Sequence, residues 1–310
     1  MKSIIDGLER WVAQQPDKCL FSFLGIDGAE REAYTYAGFH DRTRYLAACL
    51  TQQWALRGGD RVLLVYPAGL EIIAAFFACA RVGVIPVPVY PPTPANFAGG
   101  LAKLAFVARD CEARAALTTR ELRDSYLPHL AVLGHPPSGM GAPCLPALEW
   151  ITTDDARGIA SDDLRNDPGP VLFLQYTSGS TSDPKGVIVS HENLIHNALA
   201  AIDHVPTAVS WLPQYHDMGL IGSYIFPAIT GGTTYGFDPL DFLKRPLLWL
   251  ETISRVRATG ASSPNFGFEY CLREDKVPAA RLPGLDLSSL RLLANASEPV
   301  RADTFERFLA

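Results

Sequence analysis

Lysine is scarce in this chain. It occurs only at positions 2, 18, 103, 185, 244 and 276, and the rest of the basic charge is arginine. Charged residues make up 19%, the net charge is −6, and no basic run occurs. A nucleic-acid surface needs clustered cations along a phosphate backbone, so nucleic acid is excluded as the main partner. A C-x-x-C pair is also missing: Cys19, Cys49, Cys79, Cys111, Cys144 and Cys271 are dispersed, which excludes a metal or redox pair of that kind. Several of them fall in apolar helical patterns and read as small buried hydrophobes. The chain does not open on a basic-then-apolar signal pattern. Its longest apolar runs, such as 70–80, are too short to span a bilayer. The expectation is a soluble, cytoplasmic protein with no membrane span.

What is present is core material. Hydrophobic residues make up 48% of 310, enough for one large domain or two smaller ones. Apolar periodicity predicts helices over 3–15, 35–55, 69–82 and 101–111, with strands at 19–24, 61–66, 84–89 and 115–118. Strands alternating with helices indicate βαβ units and a mostly parallel sheet. The stretch 135–145 is rich in Pro and Gly, and 152–170 is polar and acidic. The organisation expected is a first α/β subdomain over 1–150, a linker over 151–170 and a second α/β subdomain over 171–310. In the second, helices are predicted at 219–229, 240–258 and 265–272, and strands at 171–174, 187–189, 208–212, 233–237 and 290–293.

The chemistry concentrates in Tyr176-Thr-Ser-Gly-Ser-Thr-Ser-Asp-Pro-Lys185-Gly186. Thr177, Ser178, Gly179, Ser180, Thr181 and Ser182 are all small or hydroxylated. They offer backbone N–H groups and hydroxyls with no bulky side chain in the way, so the loop can fold round an anion. Lys185 adds a point charge, flanked by Pro184 and Gly186. The apolar runs on either side read as strands. The segment is not a Walker A loop, which needs Gly-Lys-Ser/Thr followed directly by a helix. Nor is it a nucleophile elbow, because it has no G-x-S-x-G.

This segment resembles the phosphate loop of the adenylate-forming enzymes, the superfamily of acyl-CoA synthetases, luciferases and peptide-synthetase adenylation domains. Ser182, where most members have Gly, resembles the fatty acyl-AMP ligases. Three further segments resemble that branch: Val87-Pro88-Val89-Tyr90-Pro91-Pro92, Trp211-Leu-Pro-Gln-Tyr-His216-Asp-Met-Gly-Leu220, and Leu293-Ala-Asn295-Ala-Ser297-Glu298-Pro299. The resemblance implies the N-terminal large domain of such an enzyme, with two flavodoxin-like parallel-sheet α/β subdomains, incomplete at its C-terminus. It implies ATP and Mg²⁺, formation of acyl-AMP from a fatty acid with release of pyrophosphate, and transfer to an acyl carrier protein or a polyketide or peptide synthase. Thr177, Ser178, Gly179, Ser180, Thr181, Ser182, Lys185 and Gly186 would hold the β- and γ-phosphates. Ser297, Glu298 and Pro299 would lie beside adenine, and His216 beside the acyl carboxylate and α-phosphate as a positioning group. The family's Mg²⁺-binding Thr-Glu motif and its C-terminal lid would lie beyond Ala310. Two other readings remain open here: an acyl-CoA ligase fragment, or a catalytically inactive module that binds a nucleotide or acyl group.

Other candidates have plainer readings. His191 and His196 are five apart, whereas two zinc-binding histidines on one helix need a spacing of four. Ser190 and Glu192 are instead read as serving a helix start. Tyr224, Phe226, Phe266 and Phe268 could line an acyl tunnel, though aromatics at such spacing are more often core.

Overall fold

The computed structural model describes residues 1–133, 148–154, 156, 164–177, 184–201 and 206–310, with the backbone alone at 127–133 and 201. The Pro/Gly-rich stretch at 135–145 therefore lies outside the described residues. In chain order the elements are α1 (Ile4–Gln14), β1 (Cys19–Leu24), β2 (Glu30–Thr35), α2 (Tyr36–Ala48), β3 (Arg61–Leu64), α3 (Glu71–Arg81), β4 (Ile85–Pro88), α4 (Phe97–Asp110), β5 (Ala115–Thr118), α5 (Arg120–Leu133) and β6 (Glu149–Thr152). They continue as β7 (Val171–Tyr176), β8 (Gly186–Ser190), α6 (His191–Ala201), β9 (Thr207–Ser210), α7 (Phe226–Thr230), β10 (Thr233–Phe237), α8 (Pro239–Lys244), α9 (Leu247–Val256), β11 (Gly260–Ser263), α10 (Asn265–Cys271), β12 (Leu292–Asn295) and α11 (Ala302–Leu309). Contacts group the residues into two compact units. One holds Met1–Ile5, His40–Pro67 and Glu71–Ile195, and the other Asp6–Phe39, Ala68–Leu70 and His196–Ala310.

The first unit is built on a parallel sheet in the order β4-β3-β5-β6. Parallel strands are covered on both faces, which is why β3 and β5 read as continuous apolar runs rather than alternating ones. Helix α3 is apolar all round and buried from Ile72 to Arg81, as such a helix must be. Its Phe76 ring meets Phe173 of β7 edge-on, with centroids 5.4 Å apart. Arg81, the one cation inside α3, is solvated by protein. It donates to Thr43 Oγ1 at 2.9 Å and to Asn166 Oδ1 at 3.0 Å, and its carbonyl accepts from Asp167 N–H at 2.7 Å. Strands β7 and β8 form a separate antiparallel hairpin in which Tyr176 faces Gly186. Helix α6 opens with a reciprocal cap: Asn193 N–H donates to Ser190 Oγ at 3.1 Å, and Ser190 N–H donates to Asn193 Oδ1 at 3.0 Å. The side chain that reaches back is therefore Asn193. His191 is buried, and its Nδ1 accepts from the Ile4 N–H at 3.2 Å.

The second unit carries a six-stranded sheet in the order β12-β11-β9-β10-β1-β2, parallel except where β2 joins β1. Its core centres on Trp249, which has no exposed surface and stands against Phe242, Phe268 and Phe308 at 5.7–6.2 Å between ring centres. Trp211 stacks flat on Phe242 at 3.9 Å. The helix expected over 240–258 is two helices. They part at Arg245-Pro246, because the residue before a proline is driven out of the helical region and Arg245 sits at φ −142°, ψ 75°. The helix expected over 219–229 winds as wide π turns over Met218–Ile225 before tightening into α7, a geometry frequent at functional sites.

Candidate functional site

In an open parallel sheet, ligands collect beyond the carboxyl ends of the strands. In the second unit three such ends come together. His216 follows β9, Pro264 to Phe266 follow β11, and 296–299 follow β12. Between the sheet face and the helical stretch at 218–227 lies an apolar cavity of about 230 Å³. Ala208 and Val209 of β9, Gly260 to Ser262 of β11, and Leu292, Ala294 and Ala296 form one wall. Met218, Gly222, Ser223, Phe226 and Pro227 form the other. The hollow exists because the strand residues are small. The signal was present in the sequence as Gly260-Ala-Ser-Ser263 and Ala294-Asn-Ala296, but small residues carry no periodicity and so were not read as a wall. Of the four aromatics considered for a tunnel, Phe226 lines this cavity. Tyr224 and Phe268 are buried, and Phe266 is 40% exposed and packs edge-on against Trp211.

The segment carrying His216 is pinned from both sides. Gln214 is buried and exchanges two hydrogen bonds with Gly69, accepting from its N–H at 2.9 Å and donating to its carbonyl at 2.8 Å. The His216 N–H donates to Pro213 O at 3.1 Å, and its carbonyl accepts from Leu220 N–H at 2.8 Å. The imidazole is about half exposed, with Nδ1 2.7 Å from Asp217 Oδ1. Asp217 Oδ1 also accepts from Met218 N–H at 2.6 Å. The Asp217 hydrogen bond raises the His216 pKa above its ordinary 6.5, against partial burial, which lowers it. The same bond holds the Asp217 carboxyl below its ordinary range. The signs are opposite: the His216 contribution to folding is complete below the unfolded histidine pKa and lost as pH rises through the higher folded value, whereas the Asp217 contribution is complete above the unfolded carboxyl pKa and lost as pH falls through the lower folded one. An NMR titration of the His216 ring should show a midpoint above 6.5, and Asp217→Asn should move it down. A midpoint unchanged by Asp217→Asn would remove the carboxylate as its cause.

The turn after β12 reaches this segment. Ser297 sits at φ 72°, in the left-handed region, and its Oγ lies 3.0 Å from Met218 Sδ. The strained position is Ser297. Ala296, where the resembling family has Gly, lines the cavity. Glu298 is exposed, but its Oε1 accepts from Phe266 N–H at 2.5 Å, so the carboxylate serves the start of α10. Pro299 is exposed beside it. Asn265 ties the region together. Its Oδ1 accepts from Asn295 Nδ2 at 3.1 Å and from Arg301 N–H at 3.0 Å. The structure therefore brings His216 and the 296–299 turn to one site.

The glycine- and hydroxyl-rich loop belongs to the first unit. Ser178, Gly179, Ser180, Thr181 and Ser182 lie outside the described residues. Thr177, Lys185 and Gly186 are described and exposed at the end of the β7–β8 hairpin, and Thr177 N–H donates to Lys185 O at 3.0 Å, closing the loop's base. Among the described residues no group of three or more His, Cys, Asp or Glu side chains could hold a metal. The Cys79, Cys111 and Cys271 thiols are pushed up by burial, Cys111 to about 11 and Cys271 to about 12. Among the described residues no helix is long and apolar enough to cross a membrane.

Comparison with known proteins agrees with this architecture. The chain is 35% identical over 318 residues to the medium-chain fatty-acid acyl-carrier-protein ligase JamA of Moorena producens, covering 99% of this chain and 51% of that protein. It is 33% identical over 324 residues to the long-chain-fatty-acid–AMP ligase FadD32 of Mycolicibacterium smegmatis, covering 99% and 49%. Among solved structures it is similar to a fatty acyl-adenylate ligase from L. pneumophila in complex with acyl adenylate and pyrophosphate. That likeness has a TM-score of 0.84 and 31% identity, and covers 99% of this chain and 52% of the other. The chain thus spans about half the length of the curated relatives it matches. The family described as AMP-binding enzyme matches residues 8–310, and the chain belongs to it.

Proposed function

We propose that the protein activates a fatty acid with ATP and Mg²⁺, giving acyl-AMP and pyrophosphate, and passes the acyl group to an acyl carrier protein or carrier domain. The observation that carries this reading is the apolar cavity at the carboxyl edge of β9, β11 and β12, with His216 and the 296–299 turn beside it. Relatives named as fatty-acid ligases, one of them acting on an acyl carrier protein, support the choice of substrate.

A fatty-acid carboxylate is ionised at neutral pH and needs no general base. One carboxylate oxygen bonds to the α-phosphorus, and the bond from that phosphorus to the bridging oxygen breaks. Pyrophosphate leaves with the electron pair. Catalysis of this kind is positioning plus charge stabilisation. Lys185 and the 177–182 loop take the outer phosphates. His216, held by Asp217, orients the carboxylate. The backbone of Ser297 to Pro299 faces adenine, since the Glu298 carboxylate is already engaged. The acyl chain enters the cavity.

The test is mass spectrometry of the full-length protein with ATP and fatty acids of graded length, with and without CoA. Acyl-AMP and pyrophosphate should form; efficient acyl-CoA formation would make it a CoA ligase instead. Gly222 supplies a second arm. It lines the cavity, and a Cβ there would meet nothing within 4 Å. In Gly222→Phe the ring should displace two or three methylenes at ~0.8 kcal/mol each, lowering kcat/KM for the longest substrates roughly 15- to 50-fold and sparing short ones. An unchanged length profile would show that the chain binds elsewhere.

A further inference from the structure

We propose that Tyr176 and Asp110 form a clamp that positions Thr177 and Lys185 and so sets the grip of Lys185 on the outer phosphates, an inference that rests on the proposed role of Lys185 given above. Tyr176 is the last residue of β7 and immediately precedes the loop. Its Oη donates to Asp110 Oδ2 at 2.5 Å, a charge-assisted bond between the hairpin and the end of α4. An aspartate at the last position of a helix opposes the helix dipole, which favours cations there. The phenol at its carboxylate gives that residue a task.

The ring is placed as deliberately as the hydroxyl. Tyr176 faces Gly186 across the hairpin. A Cβ at 186 would lie 2.9 Å from Tyr176 Cζ and 3.1 Å from its Oη. Only glycine at 186 lets the ring lie over its ladder partner and still reach Asp110. The next rung is the Thr177 N–H to Lys185 O bond at 3.0 Å, so the two residues that open and close the loop hang from this point. Burial and the Asp110 carboxylate both raise the Tyr176 pKa, which keeps the phenol a donor through the neutral range. Tyr176 is thus a positioning residue that acts through Thr177 and Lys185.

Ring packing and tether separate cleanly, because Tyr176→Phe keeps the ring and removes the bond. On the full-length protein, calorimetry with a non-hydrolysable ATP analogue and with AMP should be run on the wild type, Tyr176→Phe, Asp110→Ala, the double variant and Lys185→Ala. Each clamp variant should weaken the triphosphate about five- to thirtyfold and AMP less than about twofold. The double variant should lose no more than the worse single one, since both remove the same bond. Wild-type triphosphate affinity in Tyr176→Phe, beside a clear loss in Lys185→Ala, would overturn the clamp and leave the loop reading intact. Equal losses for AMP and triphosphate would reduce the contact to general stability and overturn it too. No loss in Lys185→Ala would overturn the loop reading and the clamp with it.

Discussion

Lys185→Ala should lower affinity for ATP by one to two orders of magnitude and leave AMP affinity within about twofold. Removing a hydrogen bond from a charged donor costs about 1.5–3 kcal/mol, and each 1.4 kcal/mol is tenfold. The asymmetry between the nucleotides carries the information. Lys185 closes the loop through its own carbonyl, which the substitution keeps, so the backbone bond to Thr177 N–H survives and only the ammonium is lost. Lysine is moreover rare in this chain, and the next two along the sequence, Lys244 and Lys276, are engaged elsewhere. Lys244 lies 4.0 Å from Asp241, and Lys276 stands over the Tyr270 ring. Calorimetry with both nucleotides checks it. Equal weakening of ATP and AMP would mean that the ammonium is not at the β- and γ-phosphates.

The second large effect concerns Gly219. A Cβ there would lie 2.2 Å from Pro213 O and 3.1 Å from Leu212 O. These are backbone atoms of the segment that Gln214 pins, so neither can rotate away. Alanine is worth about 1 kcal/mol over glycine in a helix, but overpacking costs about 1–3 kcal/mol and more when backbone must shift. The clash wins, and Gly219→Ala should destabilise by about 3 kcal/mol, a fall in Tm of roughly 6–12 °C. It should also displace His216, whose N–H bonds the same Pro213 carbonyl. Gly222→Ala, three residues on, meets open space and is the control: its Tm should hold or rise. Thermal unfolding of the two variants side by side decides. A Gly219→Ala protein as stable as the wild type would show that the turn has room the geometry denies it.

Much of the fold was legible because apolar pattern and burial coincide. Strands β1 and β10 fall where their aromatic and β-branched residues place them, and β5 where a short apolar run does. What escaped had weak or misleading local signals. Strand β2, Glu-Arg-Glu-Ala-Tyr-Thr, is an exposed edge whose charges look like a loop, and charged side chains are how edges avoid pairing with other chains. Strand β11 is four small residues, Gly260-Ala-Ser-Ser263, with no period to read. Helix α5 and strand β6, before and after the Pro/Gly-rich stretch, had no expected element. His216 was singled out from its place after a strand and before a Gly-flanked apolar helix, and it does follow β9. The engagement of Glu298 with Phe266 N–H was invisible, because it joins the ends of two strands distant in sequence. The cavity was missed for the same reason: its walls come from four separate segments, and only the sheet order brings them together.

That sheet order also dictates a timetable during synthesis. β1 lies parallel to β10, and Thr233 Oγ1 donates to the Cys19 carbonyl from 214 positions further along. At roughly 5–20 residues per second, a nascent β1 leaves the ribosome roughly 10–40 s before its neighbour exists. For that interval the β1 edge that will meet β10 is unpaired, and its apolar residues Leu20, Phe21 and Phe23 have only the β2 hairpin beside them in the sheet.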